Sequence, residues 1–404
     1  MRLQLKRPTF ALLALLAVSL PSGLVRGDGD VTIRGAYYRE ASTRVIQPVV
    51  AINQNLPGGF DVHTSYLLDA ITSASANAGA AKDSIFTELR DEVFLGVGKT
   101  WNKTRATFAY AYSAESDYWS HTMRATGSQG LWGDTATLSL ALGLSLEQGT
   151  ARGRTPFCAT PPSTNCPLDA YFGGLSYTQI WSPKMITELD LESAYLDGFQ
   201  GNLYRTVPNS PLTYENPPEK RVRNAIAFRY AYFFPSTETG IQFHYRFYFD
   251  VYPGTAPTEG IPAPTGVGFI HPPGYDPWLL RSHTLMAVVY QQLSPTLQVR
   301  FTYRQYIQTN GATFWCDTLA NPFCYPSSVP FSIQGTPQSS DPKLGPMHTE
   351  YPEVKLIWDA EPWRDTPFLR WFASGTFEIS YGYYYQSTSF GNAHVLQTGY
   401  TMPY

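Results

Sequence analysis

The chain has 404 residues, of which 43% are hydrophobic, 15% are aromatic and only 15% are charged. An average soluble domain has about 25% charged residues, so this composition argues against an ordinary soluble domain. The 29 basic and 32 acidic residues give a formal net charge of −3, which offers no reason to expect nucleic acid as a partner.

The N-terminal segment predicts export from the cytoplasm. Basic residues precede an apolar run from Phe10 to Leu20, which is too short to span a bilayer as a helix. Small residues follow, and Val25 and Gly27 fit a cleavage site. We therefore expect residues 1–27 to be a signal peptide and residues 28–404 to form a single domain with long extracellular loops.

The remainder of the chain predicts strands. No later window offers about 18 consecutive apolar residues, so a helical membrane protein is excluded. Apolar and polar residues instead alternate with the period of a β-strand in about sixteen segments of roughly ten to sixteen residues. These segments lie near Val31, Val45, Phe60, Leu89, Arg105, Trp119, Thr135, Tyr171, Met185, Val222, Ile241, Leu285, Leu297, Val354, Leu369 and Leu396.

Alternation is clearest in three late segments. Apolar residues occupy every second position from Ile241 to Phe249, and polar residues fill most positions between them. The segment that begins at Leu297 and the last residues, from Leu396 to the aromatic Tyr404, follow a similar pattern. A soluble sandwich would leave too many of these long apolar faces uncovered, whereas a membrane barrel turns them towards lipid.

Connection lengths predict the orientation of the barrel. Even-numbered connections are mostly tight turns with Pro or Gly, such as Leu56–Gly59 and Ser294–Pro295, while long segments follow odd-numbered strands. Short turns on one rim and long loops on the other are typical of periplasmic and outer faces. We predict an all-β fold, a transmembrane antiparallel up-and-down β-barrel of about 16 strands in the bacterial outer membrane, with both termini in the periplasm.

The four cysteines lie in two of the long loops. Cys158 and Cys166 share one loop, Cys316 and Cys324 share the other, and the spacing within each pair is eight. An oxidising compartment favours a disulfide within each pair. A metal site is the rival interpretation, but the loops lack CxxC spacing and accompanying histidines, so we expect no metal site.

Several motifs resemble a known bacterial family. They are Leu68–Ser75, Leu203–Arg205, Arg221–Ala225, Tyr245–Asp250, Arg281–Thr284 and Tyr303–Tyr306. Together they span most of the mature chain and are similar to an uncharacterised family catalogued as domain of unknown function 3570. This chain departs from the family pattern at Asn202–Leu203 and at Val251–Tyr252. The resemblance implies an outer-membrane barrel and supplies no established activity.

Strand parity predicts which charges face the lumen. The acidic candidates lie on one strand and basic candidates lie on the next strand and further round the barrel. Separated acidic and basic walls would orient polar solutes and filter ions. The alternative is that these charges only pair with each other in the interior. The candidates are Glu188, Asp190, Glu192, Arg221, Arg223, Arg229, Arg246, Arg300 and Arg304.

Other polar residues offer weaker candidates. Asp69 faces inward and either binds a cation, pairs with a lumen arginine, or caps the following turn, and the cap is the interpretation that its residue type favours. His244 with Asp250, and Ser282 beside His283, resemble parts of a hydrolase site. Adjacent residues on a strand point to opposite faces, so Ser282 and His283 do not form a local pair. We expect no catalytic activity.

The sequence favours a porin-like channel for small polar solutes or ions, since about sixteen strands enclose a water-filled lumen unless something fills it. The segment from Pro253 to Pro277 and the Cys316 loop are long enough to fold inward as a constriction. The alternative function is a closed barrel that serves as a surface-display or partner-binding scaffold without transport. No cofactor motif is present, outer-membrane lipid is the expected surrounding, and the sequence leaves the oligomeric state open.

Overall fold

The computed structural model describes residues 28–41, 43–73, 86–150, 165–201, 220–251, 261–262, 269–270, 280–309, 342–388 and 390–404. Within these residues, sixteen strands form one closed antiparallel barrel. The predicted signal peptide, Cys158, Cys316, Cys324 and the predicted constriction segments lie outside the described residues, apart from the short strands of residues 261–262 and 269–270.

Each barrel strand pairs with its neighbours along the chain, and the last strand pairs with the first, with Asp30 opposite Pro403. The strands are β1 (Gly29–Arg39), β2 (Thr43–Leu56), β3 (Phe60–Ser73), β4 (Phe86–Trp101), β5 (Thr104–Ala114), β6 (Tyr118–Leu131), β7 (Ala136–Thr150), β8 (Asn165–Ser182), β9 (Met185–Gly198), β10 (Lys220–Phe234), β11 (Thr239–Val251), β14 (Arg281–Ser294), β15 (Leu297–Gln308), β16 (Met347–Asp359), β17 (Thr376–Gln386) and β18 (Ala393–Pro403). Between β11 and β14, the two-residue strands β12 (Ile261–Pro262) and β13 (Phe269–Ile270) pair only with each other.

The outer surface of the barrel is apolar. Because side chains alternate across a strand, one set of every strand faces out, and this set includes Phe108 and Leu142, which are 55% and 58% exposed. Comparable exposed aliphatic and aromatic residues lie on all sixteen strands. Such a continuous apolar belt on a closed barrel is stable only in lipid, so the protein is a bacterial outer-membrane barrel.

Two rims follow from the connections. Asn102–Lys103, Pro183–Lys184 and Pro295–Thr296 form two-residue turns at the end where β1 begins and β18 ends. Connections at the opposite end include the long segments 252–280 and 309–346. Short turns and long connections thus lie at opposite ends of the barrel, and we call the first end the periplasmic rim and the second the outer rim, following the prediction from connection lengths.

One predicted strand position is wrong. Fifteen of the sixteen predicted positions lie in a strand or directly beside one, but Leu369 lies in the connection before β17. This connection contains the 3₁₀ turns Glu361–Trp363 and Arg370–Phe372. Two prolines interrupt extended pairing there, and Phe368 has a positive φ of 71°.

We call residues 360–375 the periplasmic arm. The rings of Trp363 and Trp358 lie 4.7 Å apart, and those of Phe372 and Tyr400 lie 5.6 Å apart, so the arm packs against outward side chains of the barrel. Phe368 and Trp371 remain 88% and 72% exposed. The aromatic residues of the arm resemble a strand in sequence, but they cover the wall from outside. Among the described residues, no helix has the length and apolarity needed to cross a bilayer.

Candidate functional site: the barrel lumen

The inward residues of β5 to β8 are mostly small, and we call them the small-residue wall. A cavity of about 510 Å³ lies along part of this wall and is lined by Phe94, Thr107, Ala109, Ala111, Thr122, Arg124, Thr126 and Phe172. Strand registers place further small residues beside them. The inward positions that define this wall are Thr107, Ala109, Ala111, Thr122, Thr126, Ala141, Gly143, Ser145, Ala170 and Gly174.

Arg124 is the charged residue of this cavity lining. It lies halfway along β6, is exposed to the lumen and forms no ion pair with any described residue. Sequence reasoning missed Arg124 because β6 has a weak alternation of polarity. Its register partner on β7 is Gly143, and the Phe172 ring of β8 occupies the space that a side chain at this glycine would fill.

The inward residues of β9 to β11 are mainly charged, and we call them the paired wall. Arg229 binds Glu188 with an N–O distance of 2.7 Å and approaches Asp190 at 3.6 Å. Arg246 lies 3.1 Å from Glu192. The predicted acidic and basic candidates therefore meet as neighbours, and these contacts neutralise much of their charge locally.

The outer end of the paired wall contains a buried ion pair. Arg221 Nη2 lies 2.5 Å from Asp250 Oδ2, and the two side chains are 3% and 0% exposed. Asp250 Oδ2 also accepts a hydrogen bond from the backbone N–H of Leu280 at 3.2 Å. Arg223 is directly opposite Asp250 in the strand register. This network joins β10 and β11 to Leu280, the last residue of the long 252–280 connection.

A second group of charges lines β15 to β17. Arg300 donates to Glu353 at 2.9 Å, and Lys355 donates to Glu378 at 2.8 Å. Arg304, by contrast, is exposed and forms no ion pair with a described residue. Glu353 and Lys355 were not among the sequence candidates, although the alternation of β16 places them on the inward face.

Asp69 forms part of a third polar group on β2 to β4. Its carboxylate accepts a hydrogen bond from Gln47 at 2.5 Å and lies 3.9 Å from Arg90. Asp69 is inside β3, so the preferred expectation of a turn cap is wrong and the pairing with a lumen arginine is correct. Arg90 also binds Glu92 at 2.7 Å.

The roots of the two longest outer connections turn towards the lumen. Leu280 and Leu344 are buried against each other and against the inward residue Tyr248. Gln308 Nε2 donates to the carbonyl oxygens of Lys343 and Gly345 at 2.6 and 3.0 Å. These contacts fix both roots inside the outer mouth of the barrel and narrow it on that side.

The hydrolase-like residues do not assemble. Ser282 is buried on the inward side, whereas His283 is exposed on the outward side and pairs with the Tyr245 hydroxyl. No group of three potential metal-ligating side chains occurs among the described residues. The absence of catalytic activity stays a prediction.

Cys166 is the cysteine that falls within the described residues. It lies at the outer end of β8, is buried, and no cysteine in the described ranges is free. The two predicted disulfides stay predictions, since Cys158, Cys316 and Cys324 lie outside those ranges.

Residues 169–253 match the model of the family described as "Protein of unknown function (DUF3570)". This match confirms the predicted resemblance. It includes the Arg221–Ala225 and Tyr245–Asp250 motifs of β10 and β11, and therefore much of the paired wall. No curated protein matches the chain in sequence.

Solved outer-membrane structures are similar to this chain in outline. A bacterial polysaccharide outer membrane secretin is 8% identical in sequence, with a TM-score of 0.48. The alignment covers 94% of this chain and 99% of the secretin chain. OccD3 (OpdP) of Pseudomonas aeruginosa is 10% identical, with a TM-score of 0.45 and coverages of 95% and 92%. OprD of Pseudomonas aeruginosa is 8% identical, with a TM-score of 0.43 and coverages of 94% and 95%.

Proposed function

We propose that this outer-membrane barrel is a porin-like channel through which small polar solutes or ions diffuse. The observation that carries the proposal is the cavity of about 510 Å³ along the small-residue wall, which threonines, alanines and Arg124 help to line inside a closed sixteen-strand barrel. Barrels of about this strand number enclose a water-filled passage when side chains and loops leave it open. Polar residues on the inward face of every wall fit contact with water.

The two kinds of lumen wall suggest how solutes are selected. On the paired wall, contacts such as Arg229–Glu188 hold long side chains in place and leave little net charge. Arg124 and Arg304 form no ion pair with a described residue, so their positive charges act on a passing solute. We expect a weak preference for anions.

The mouth contacts support a channel with a narrowed entrance. Leu280, Leu344 and Gln308 fix the roots of the long connections on the inner side of the rim. A narrowed mouth raises selectivity by size, because a solute must lose water or fit closely to pass.

Single-channel conductance of the refolded protein in planar bilayers tests this function. In a salt gradient, Arg124→Gln is expected to shift the reversal potential towards cation preference by several millivolts. Arg364→Gln is the matched control, because Arg364 is an exposed arginine of the periplasmic arm, away from the lumen. The control is expected to keep the wild-type reversal potential.

The experiment also addresses the alternative function. Correctly folded barrels that never open would contradict the channel and support a closed scaffold, for which the buried Leu280–Leu344 contact is the favourable observation. If wild type and Arg124→Gln both open and have identical ion selectivity, the result would support a pore but contradict the role of Arg124 in selectivity.

A further inference from the structure

A row of basic side chains crosses three neighbouring strands at the outer rim. Arg39 on β1 lies opposite Arg44 on β2 and opposite His394 on β18 in the strand registers. All three residues are exposed and lie on the outward face, the face that carries Ile33 and Leu396. We call these three residues the outer cationic row.

The row has no compensating acid among the described residues. Neither Arg39 nor Arg44 forms an ion pair there, although like charges directly opposite each other on neighbouring strands are destabilising. The nearest acid in the same hairpin is Glu40, which accepts a hydrogen bond at 2.8 Å from Tyr38, an inward residue. An anion from outside the chain would remove this repulsion.

His394 is oriented to donate outward. The Tyr381 hydroxyl lies 2.8 Å from His394 Nδ1, and the Tyr383 and His394 rings are 5.4 Å apart. With the hydroxyl donating to Nδ1, the proton of a neutral imidazole is on Nε2, which is then a donor. Similar pairs, Tyr110 with His121 and Tyr245 with His283, occur on the outward face near the outer rim and mark the aromatic girdle.

An apolar row lies directly beneath the outer cationic row on the same strands. Two residues towards the membrane centre from Arg39, Arg44 and His394 are Tyr37, Ile46 and Leu396. Tyr37 is opposite both Ile46 and Leu396 in the registers. Two residues along a strand correspond to about 7 Å. Two arginines and a histidine donor above apolar side chains at this spacing match a lipid whose anionic head lies above its acyl chains.

We propose that the outer cationic row binds a phosphate group of the phosphorylated glycolipid in the outer leaflet. The planar guanidinium groups of Arg39 and Arg44 suit phosphate oxygens, to which arginine donates two parallel hydrogen bonds. His394 Nε2–H adds a donor at the same height, and acyl chains lie against Tyr37, Ile46 and Leu396. The apolar row is the reason to assign a lipid rather than free phosphate.

Binding of purified lipopolysaccharide to the refolded protein in detergent micelles tests the proposal. Arg39→Gln/Arg44→Gln is expected to weaken binding at least tenfold, whereas Arg39→Lys/Arg44→Lys is expected to lose less affinity, because the charge remains and only the paired hydrogen bonds of the guanidinium groups are lost. The matched control is Arg364→Gln/Arg370→Gln, which removes the same charge from the periplasmic arm. The control is expected to bind as wild type does.

Binding of related ligands shows which chemical group of lipopolysaccharide the outer cationic row recognises. Lipopolysaccharide freed of its phosphate groups is expected to bind wild type and Arg39→Gln/Arg44→Gln equally and weakly. Equal affinity of both proteins for the phosphorylated form would overturn the proposal. So would inorganic phosphate or phosphatidylglycerol binding to wild type as tightly as the glycolipid does. If the double variant does not fold, Arg44→Gln alone provides the same comparison, with at least a threefold loss expected.

Discussion

The small-residue wall and the paired wall belong to one continuous sheet but use their inward positions differently. On β5 to β8, small residues such as Ala109 and Ala111 leave space, and Arg124 lines the same cavity. On β9 to β11, the inward positions carry long charged side chains bound to each other, as in Arg229 with Glu188. The barrel therefore obtains a polar lumen in two ways: small side chains leave room for water, or charged side chains pair with charges of opposite sign.

A substitution in the paired wall is therefore expected to change stability, whereas one in the small-residue wall is expected to change the width of the lumen. The buried Arg221–Asp250 pair contributes to stability, because removal of one partner leaves an uncompensated charge out of contact with water. A substitution in the small-residue wall changes the free cross-section of the lumen and leaves the strand pairing intact.

The largest expected effect is on stability at the paired wall. Asp250→Ala leaves Arg221 buried without its carboxylate, and we expect the free energy of unfolding to fall by about 3–5 kcal/mol. Denaturant titration of the protein refolded in lipid vesicles measures it. Asp197→Ala is the matched control, since Asp197 forms an exposed contact of 3.9 Å with Lys220 that contributes below about 1 kcal/mol. Equal losses in both variants would remove the distinction between the buried pair and a surface contact.

A second variant tests the space along the small-residue wall. Ala109→Trp places an indole in the cavity next to Arg124, and we expect single-channel conductance to fall at least twofold because the passage narrows. Ala106→Trp, on the outward face of the same strand, is expected to leave conductance unchanged. A conductance that is unaffected by Ala109→Trp would show that ions pass elsewhere.

The smallest expected effect is a pH-dependent change in stability at Glu115, on the outer rim above the small-residue wall. Glu115 lies in the turn between β5 and β6, and burial raises its pKa, with Arg90 opposing and Glu88 and Asp117 adding to the rise. An acid with a raised pKa in the folded state binds its proton more tightly there than in the unfolded chain. Ionised Glu115 therefore destabilises the fold, and this penalty grows as the pH rises from the ordinary pKa through the raised one.

Glu115→Gln keeps the neutral form at every pH. We expect this variant to be slightly more stable than wild type at about pH 8 and equal to it at about pH 3, where the carboxyl is protonated in both the folded and the unfolded state. Unfolding midpoints at the two pH values measure the difference. A variant that is less stable than wild type at the higher pH would contradict the assigned direction.

The fold was predictable because each strand satisfies a simple requirement. In β11, and in β15 except at Gln305, apolar residues face lipid at every second position, so the period of two appears directly in the sequence. The periplasmic arm was mistaken for a strand because Trp363 to Phe372 also present aromatic residues to the barrel wall. Nothing in residue type alone distinguishes an aromatic side chain that faces lipid from one that covers a neighbour.

The sequence predicts which residues face the lumen, but it does not predict which of these residues pair with each other. The alternation of β9 and β10 places Glu188 and Arg229 inward, but the contact between them depends on the strand register, which the sequence does not state. Arg124 was missed because small residues surround it on both faces of β6. The inward-turned roots at Leu280 and Leu344 depend on packing between distant parts of the chain.

The periplasmic arm has a consequence for the order of barrel assembly. Its platform consists of Trp358 on β16, Phe377 on β17 and Tyr400 on β18, and the Tyr400 hydroxyl donates to the Phe372 carbonyl at 3.1 Å. β18 is also the strand that closes the ring against β1. A chain whose last strand has not yet paired lacks part of that platform. The arm therefore docks fully only once β18 has paired with β17, so its docking follows formation of the last hairpin.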